Sequence, residues 1–268
     1  MTALDRFDDV GVDLDDRFVA TVEIRRPPHN FFDGELIGNL ASTFEALDED
    51  PRCRAIVLCS EGKSFCAGAQ LGGGGAKKNA QAAPREPDTK APHLYDKAVR
   101  LFRTQTPVVA AIQGAAIGGG LGLALMPDFR FAAPEARFAA NFARLGFHHG
   151  FGLSVTLPDL VGRSRAMELL YTGRRVRGEE AHAMGLCDRL VPLEGLRSAA
   201  SDFAAEIAAS APLAVRSIRE TLRGDLAERI RIATDREKVE QERLQKSQDF
   251  REGVRAMGER RTPSFTGS

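Results

Sequence analysis

The stretch from Val108 to Met126 restricts this chain more than any other: nineteen residues in which Gln113 is the only polar side chain. That length would admit a membrane helix. Gly114, Gly118, Gly119, Gly120 and Gly122 interrupt it, however, and Pro107 and Pro127 bound it. The opening Val-Val-Ala-Ala-Ile has strand character and loses it at the glycine cluster. The stretch therefore predicts a buried strand, a glycine turn and a short buried helix. Such a turn leaves the first helical N–H groups without partners and lets a ligand approach the backbone closely.

The flanking sequence supplies the rest of an α/β pattern. Phe18 to Ile24 alternates with period two after the turn-like Asp15-Asp16, which predicts a strand following a hairpin. Leu36, Ile37, Leu40, Phe44 and Leu47 have helical spacing, and Ala55 to Leu58 is an apolar run of strand length. Strand, helix, strand in this order begins a parallel α/β unit. A helix carrying Tyr95, Val99 and Phe102 leads into the Val108 strand, and Asp128 to Ala132 reads as another strand. Beyond Gly162 the periodicity is helical: Arg165–Tyr171, Gly178–Met184, Leu196–Ala209, Pro212–Leu222 and Leu226–Met257. The division expected is an α/β core over 1–195 and a helical region over 196–268.

With 37 Lys+Arg against 37 Asp+Glu, the chain lacks the basic surplus that nucleic-acid and anionic-membrane binders use. The opening MTALDRFDDV has no cationic segment followed by an apolar core, so the expectation is a cytoplasmic protein. Cys53, Cys59, Cys66 and Cys187 lack CxxC pairing and are expected as reduced, partly buried thiols; no metal site is predicted. Residues 72–92 are Gly, Ala, Pro and charged residues, a flexible loop by composition. A phosphate loop would need Ser or Thr after the lysine, and Gly72 to Lys78 is not followed by one.

Ser64-Phe65-Cys66-Ala67-Gly68-Ala69-Gln70-Leu71 follows the Ala55 strand and again offers small residues with accessible amides. Two amides converging on one carbonyl oxygen would form an oxyanion hole. Taken by itself, the glycine triplet is equally compatible with tight strand-to-helix packing.

Together, SFCAGAQL, AIQGAAIGGGLGLALMPDFRFAA and MELLYTGRRVRGEEAHAMGLCDRLVP resemble the crotonase (enoyl-CoA hydratase/isomerase) superfamily in order and spacing. The resemblance runs from ATVEIRRPPHN to QDFREGVRAMGERRTPSF. It implies a spiral of repeated ββα units with a helical C-terminal region used in assembly, as a homotrimer or hexamer. The implied substrate is an acyl-CoA thioester, with coenzyme A part of the substrate and no separate cofactor. The superfamily's two oxyanion amides fall on Ala69 and Gly119. Ala67, Gln70, Leu71, Gly118, Gly122, Phe142 and Arg144 are the implied substrate-contacting positions, and Gln70 stands where an Asp is common. Arg260, Arg261 and Phe265 match a segment that contacts the CoA nucleotide.

The hydratase glutamates fall on Gly122 and Phe142, so neither carboxylate is present. Adding water across a double bond needs a base for the water and an acid for the α-carbon. The expectation is an acyl-CoA enzyme of the lyase or isomerase class that hydrates crotonyl-CoA poorly. The alternatives are a non-catalytic acyl-CoA binder and a histidine-dependent hydrolase or lyase of an unusual acyl-CoA or diketone. His149, in Gly-Phe-His-His-Gly-Phe-Gly, replaces an apolar-Pro-Gly turn of hydratases and is the candidate base. Arg144 is a candidate for an acidic acyl tail. His29, His93, His148 and His182 have weaker claims.

Overall fold

The computed structural model describes residues 7–69 and 93–268. Gln70, Leu71 and the segment 72–92 lie outside the described residues. Strands β1 (Val10–Leu14) and β2 (Val19–Ile24) form the expected hairpin. The Asp15 carboxylate makes its turn by accepting the N–H groups of Arg17 and Val19, both at 3.0 Å. Helix α1 (Gly34–Asp48) begins at Asp33, whose side chain accepts the Glu35 and Leu36 amides, and it buries the five apolar residues that predicted it. Strand β3 (Ala55–Ser60) then pairs parallel to β2.

From β3 onward one unit repeats. It comprises β3, β4 (Ser64–Cys66) and α2 (Leu94–Phe102), then β5 (Val108–Ile112), β6 (Ala115–Ile117) and α3 (Gly119–Leu125), then β7 (Phe129–Ala132), β8 (Arg137–Ala139) and α4 (Leu153–Val161). The chain continues through α5 (Arg163–Thr172), β9 (Val176–Arg177), α6 (Gly178–Ala183) and β10 (Arg189–Leu190). Among the described residues the first strand of each turn enters one sheet, ordered β1-β2-β3-β5-β7-β10, and the second enters another, ordered β4-β6-β8-β9. This is the crotonase-like spiral. The resemblance implies a second strand in each unit, but the apolar periodicity does not locate β4, β6 and β8, because three residues cannot display a period of two. Strand β6 therefore stands between the Val108 strand and the buried helix.

The C-terminal helices are α7 (Leu196–Ala208), α8 (Pro212–Arg223), α9 (Leu226–Leu244) and α10 (Gln248–Glu259). Leu196, Ala200, Ala204 and Ala208 form an i, i+4 stripe that packs α7 on Val57, Val109 and Phe131 of the sheet. Asp128 ties α8 to the core, with Arg219 at 2.9 Å and Arg223 at 2.7 Å, and it accepts the Val108 amide at 2.8 Å. Burial alone would raise the Asp128 carboxyl, but the two guanidiniums outweigh it and hold it low. The predicted Leu226–Met257 helix breaks before α10, where Ser247 caps the Phe250 amide. Helix α9 packs on α2 and α4.

Among the described residues no helix is long and apolar enough to cross a membrane. The four cysteines are buried and unpaired, and burial pushes the Cys66 thiol up to about 12.

Candidate active site

Two adjacent turns build the site. Gly118 precedes α3 with φ +59°, and Gly68 follows β4 with φ +87°, a region that side chains rarely adopt. They lie so close that a methyl group on Gly68 would stand 2.7 Å from the Ile117 carbonyl oxygen. Phe32 donates its amide to the Gly68 oxygen at 3.1 Å, and its ring fills the space where a Gly119 side chain would be. Among the described residues the N–H groups of Ala69 and Gly119 meet no acceptor. For Gly119 this follows from its place in the first turn of a helix.

Both residues line one cavity of about 640 Å³, together with Ala67, Gly68 and Gly118. Phe31, Phe32, Phe142, Leu145, Phe147 and Met257 give it an apolar wall. Lys63, Arg137 and Arg175 also line it and form no ion pair among the described residues. No carboxylate lines it among the described residues. The cavity thus offers backbone donors and cations to an anionic, partly apolar ligand.

Aromatic rings occupy the space at both positions, Gly122 and Phe142, where the resemblance implies a glutamate. Phe142 is buried on the cavity wall, edge-on to Phe147 with centroids 5.4 Å apart. Gly122 lies inside α3 away from the cavity lining, and the fully buried Phe151 covers it. Phe151 has φ +63°, a costly conformation for an aromatic residue, and sits between Gly150 and Gly152.

His149 does not line the cavity. Its Nε2 is 2.8 Å from Ser154 Oγ and 4.0 Å from the buried Glu237, while its ring stacks on His148. Burial, with His148 adding, pushes His149 down to about 4; burial pushes the Glu237 carboxyl up, against hydrogen bonds from Ser154 and Gly152. The imidazole reaching the cavity among the described residues is His29, whose Nδ1 is 3.4 Å from Ser64 Oγ. Arg144 also points elsewhere, donating to the Thr172 carbonyl at 2.6 Å. Arg261 pairs with Glu252 and Glu259, Arg260 ends α10 at φ +54°, and Phe265 is exposed. None of the three lines the cavity of its own chain.

Residues 16–268 match the model of the enoyl-CoA hydratase/isomerase family. The chain belongs to that family. A relative in Escherichia coli K12, 1,2-epoxyphenylacetyl-CoA isomerase, is 31% identical over 253 residues, covering 93% of this chain and 95% of its own. The crystal structure of an enoyl-CoA hydratase/isomerase from Pseudoalteromonas atlantica T6c superposes with a TM-score of 0.84 at 30% identity, covering 96% of this chain and all of that one. An enoyl-CoA hydratase from Mycobacterium avium subsp. paratuberculosis K-10 follows at a TM-score of 0.82 and 28% identity, over 96% and 98% of the two chains.

Of the polar side chains at the cavity, the cations Lys63, Arg137 and Arg175 and the neutral Asn141, Tyr95 and Gln241 were not among the site residues expected from the sequence. The Asn141 Oδ1 is 3.3 Å from a methyl group placed on Gly118, and the side chain has no hydrogen-bond partner among the described residues. Its adjacency to Phe142 was the available signal. Tyr95 and Gln241 are 146 residues apart and joined by a 2.8 Å hydrogen bond. No local pattern announces such a pair.

Proposed function

We propose that this protein is an acyl-CoA-processing enzyme that polarises a thioester carbonyl with the backbone N–H groups of Ala69 and Gly119. The observation carrying this reading is that both donors line one cavity and meet no acceptor among the described residues. When a base removes the α-proton, the carbonyl oxygen gains the negative charge of an enolate, and each well-placed donor is worth about 3 kcal/mol there. Lys63, Arg137 and Arg175 suit the phosphates of coenzyme A.

Hydration of an enoyl-CoA is disfavoured because it needs an acid and a base, and Gly122 and Phe142 supply neither. Reactions through an enolate that need one base fit better, the isomerase and lyase classes of the family. His29, which lines the cavity, is the candidate for that base in place of His149, which is turned to Ser154 and Glu237. The apolar side chains Leu213, Ile218 and Leu222, exposed along α8, support assembly into a homotrimer or hexamer.

The test is a mass-spectrometric turnover screen over enoyl-, β-ketoacyl- and dicarboxyl-CoA thioesters, with binding followed by the absorbance of a conjugated aryl-enoyl-CoA. Polarisation shifts that absorbance to longer wavelength. Turnover with the shift is the expected result. Binding with the shift but no turnover would assign a non-catalytic acyl-CoA binder, and absence of both would remove the reading.

A further inference from the structure

From Gly119 a chain of contacts runs through the Phe32 ring, which lines the cavity, and the buried Phe151 ring behind it, with centroids 5.7 Å apart, to Tyr95 and Gln241, which line the cavity again. The Phe151 N–H lies against the Tyr95 oxygen. Leu94, Phe147 and Met257 line the same cavity as Gln241. Resting on the acyl-CoA reading above, we propose that Gln241 recognises an uncharged hydroxyl carried on the acyl chain remote from the thioester. The preferred substrates are then hydroxyacyl-CoA thioesters whose chain is otherwise apolar.

The orientation of the Gln241 amide follows from its partners. The His148 carbonyl can only accept, so Nε2 faces it at 2.9 Å, and Oε1 accepts the Tyr95 hydroxyl at 2.8 Å. One N–H and one lone pair remain, and a hydroxyl, which donates and accepts, satisfies both. A methyl-ended chain that excludes water would leave them unpaired, which costs affinity.

A carboxylate end is disfavoured for a separate reason. Glu237 is fully buried one turn before Gln241 on α9, where it accepts the Gly152 and Ser154 amides, so a carboxylate ending at Gln241 would meet a second acid on the same helix face. The cations of the cavity, Lys63, Arg137 and Arg175, are the ones assigned above to the phosphates of coenzyme A.

The experiment is calorimetric titration of the full chain with saturated acyl-CoA thioesters ending in methyl, hydroxyl or carboxylate, over a series of chain lengths. At the length that reaches Gln241 the hydroxyl form should bind about 3- to 10-fold tighter than the methyl form, with the carboxylate form weakest. In Gln241→Met, which keeps the side-chain length, the hydroxyl-to-methyl ratio should fall to about one. Equal affinities at every length, or a preference surviving in Gln241→Met, would overturn the inference while leaving the acyl-CoA reading standing. Failure of all three forms to bind would overturn both. The wild-type comparison decides even where the variant does not fold.

Discussion

A methyl group on Gly122 would come 2.6 Å from Phe151 Cβ and 2.8 Å from its Cδ1, so the Phe151 ring owns the space that a side chain at position 122 requires. The glycine and the ring therefore require each other. A glutamate does not fit at position 122 of α3 while that ring remains.

Gly122→Glu should therefore lower stability without creating a hydratase. Overpacking of a buried site costs about 1–3 kcal/mol, and the new carboxylate would lie among apolar groups. Thermal denaturation should show a Tm lower by several degrees. A variant as stable as the parent would mean that Phe151 leaves this space easily.

The wild-type protein should hydrate crotonyl-CoA negligibly, followed as loss of the enoyl-thioester absorbance. Removing a general acid or base costs about 10²–10⁴-fold each. A rate in the ordinary hydratase range would show that another group, with His29 the first to test, supplies both proton transfers.

Asp128→Asn should destabilise the fold by about 3–5 kcal/mol in urea denaturation, because Arg219 and Arg223 would remain buried without their anion. With the carboxyl held low in the folded state, the stabilisation is present above the unfolded carboxylate range and is lost as pH falls through the folded value. The wild type and Asp128→Asn should accordingly converge in strongly acidic solution. A parallel pH dependence for the two would count against the ion cluster.

For His149 the sign is also set. Its folded value near 4 lies below the ordinary 6.5, so the unfolded chain binds the extra proton between those limits and stability falls as pH drops through that window. His149→Gln, which can keep a hydrogen bond to Ser154, should gain on the wild type by roughly 1–3 kcal/mol between pH 6.5 and pH 4. Glu237, raised by burial, is common to both proteins and largely cancels in the comparison. Turnover of an accepted thioester should survive the change, since the imidazole does not line the cavity; complete loss would restore His149 as the base.

The sequence by itself determined the main α/β elements and, through the resemblance of its three motifs, the family and the spiral fold. The elements rest on local signals, the apolar spacing of α1 and the short apolar runs of β3 and β5, while the small residues around Gly68 and the glycine triplet before α3 made Ala69 and Gly119 candidate donors. Backbone donors need no partner elsewhere in the chain, so their place can be read from the turn that exposes them. The tertiary structure alone decided which side chains share the cavity. His149 and His29 look alike as sequence, yet His149 folds onto Ser154 and Glu237 of α9 while His29 reaches the cavity beside Ser64. Arg144 was captured by the Thr172 carbonyl, and Tyr95 met Gln241 from 146 residues away. A side chain's role depends on partners that long-range packing brings to it, and no spacing in the sequence records which partner arrives.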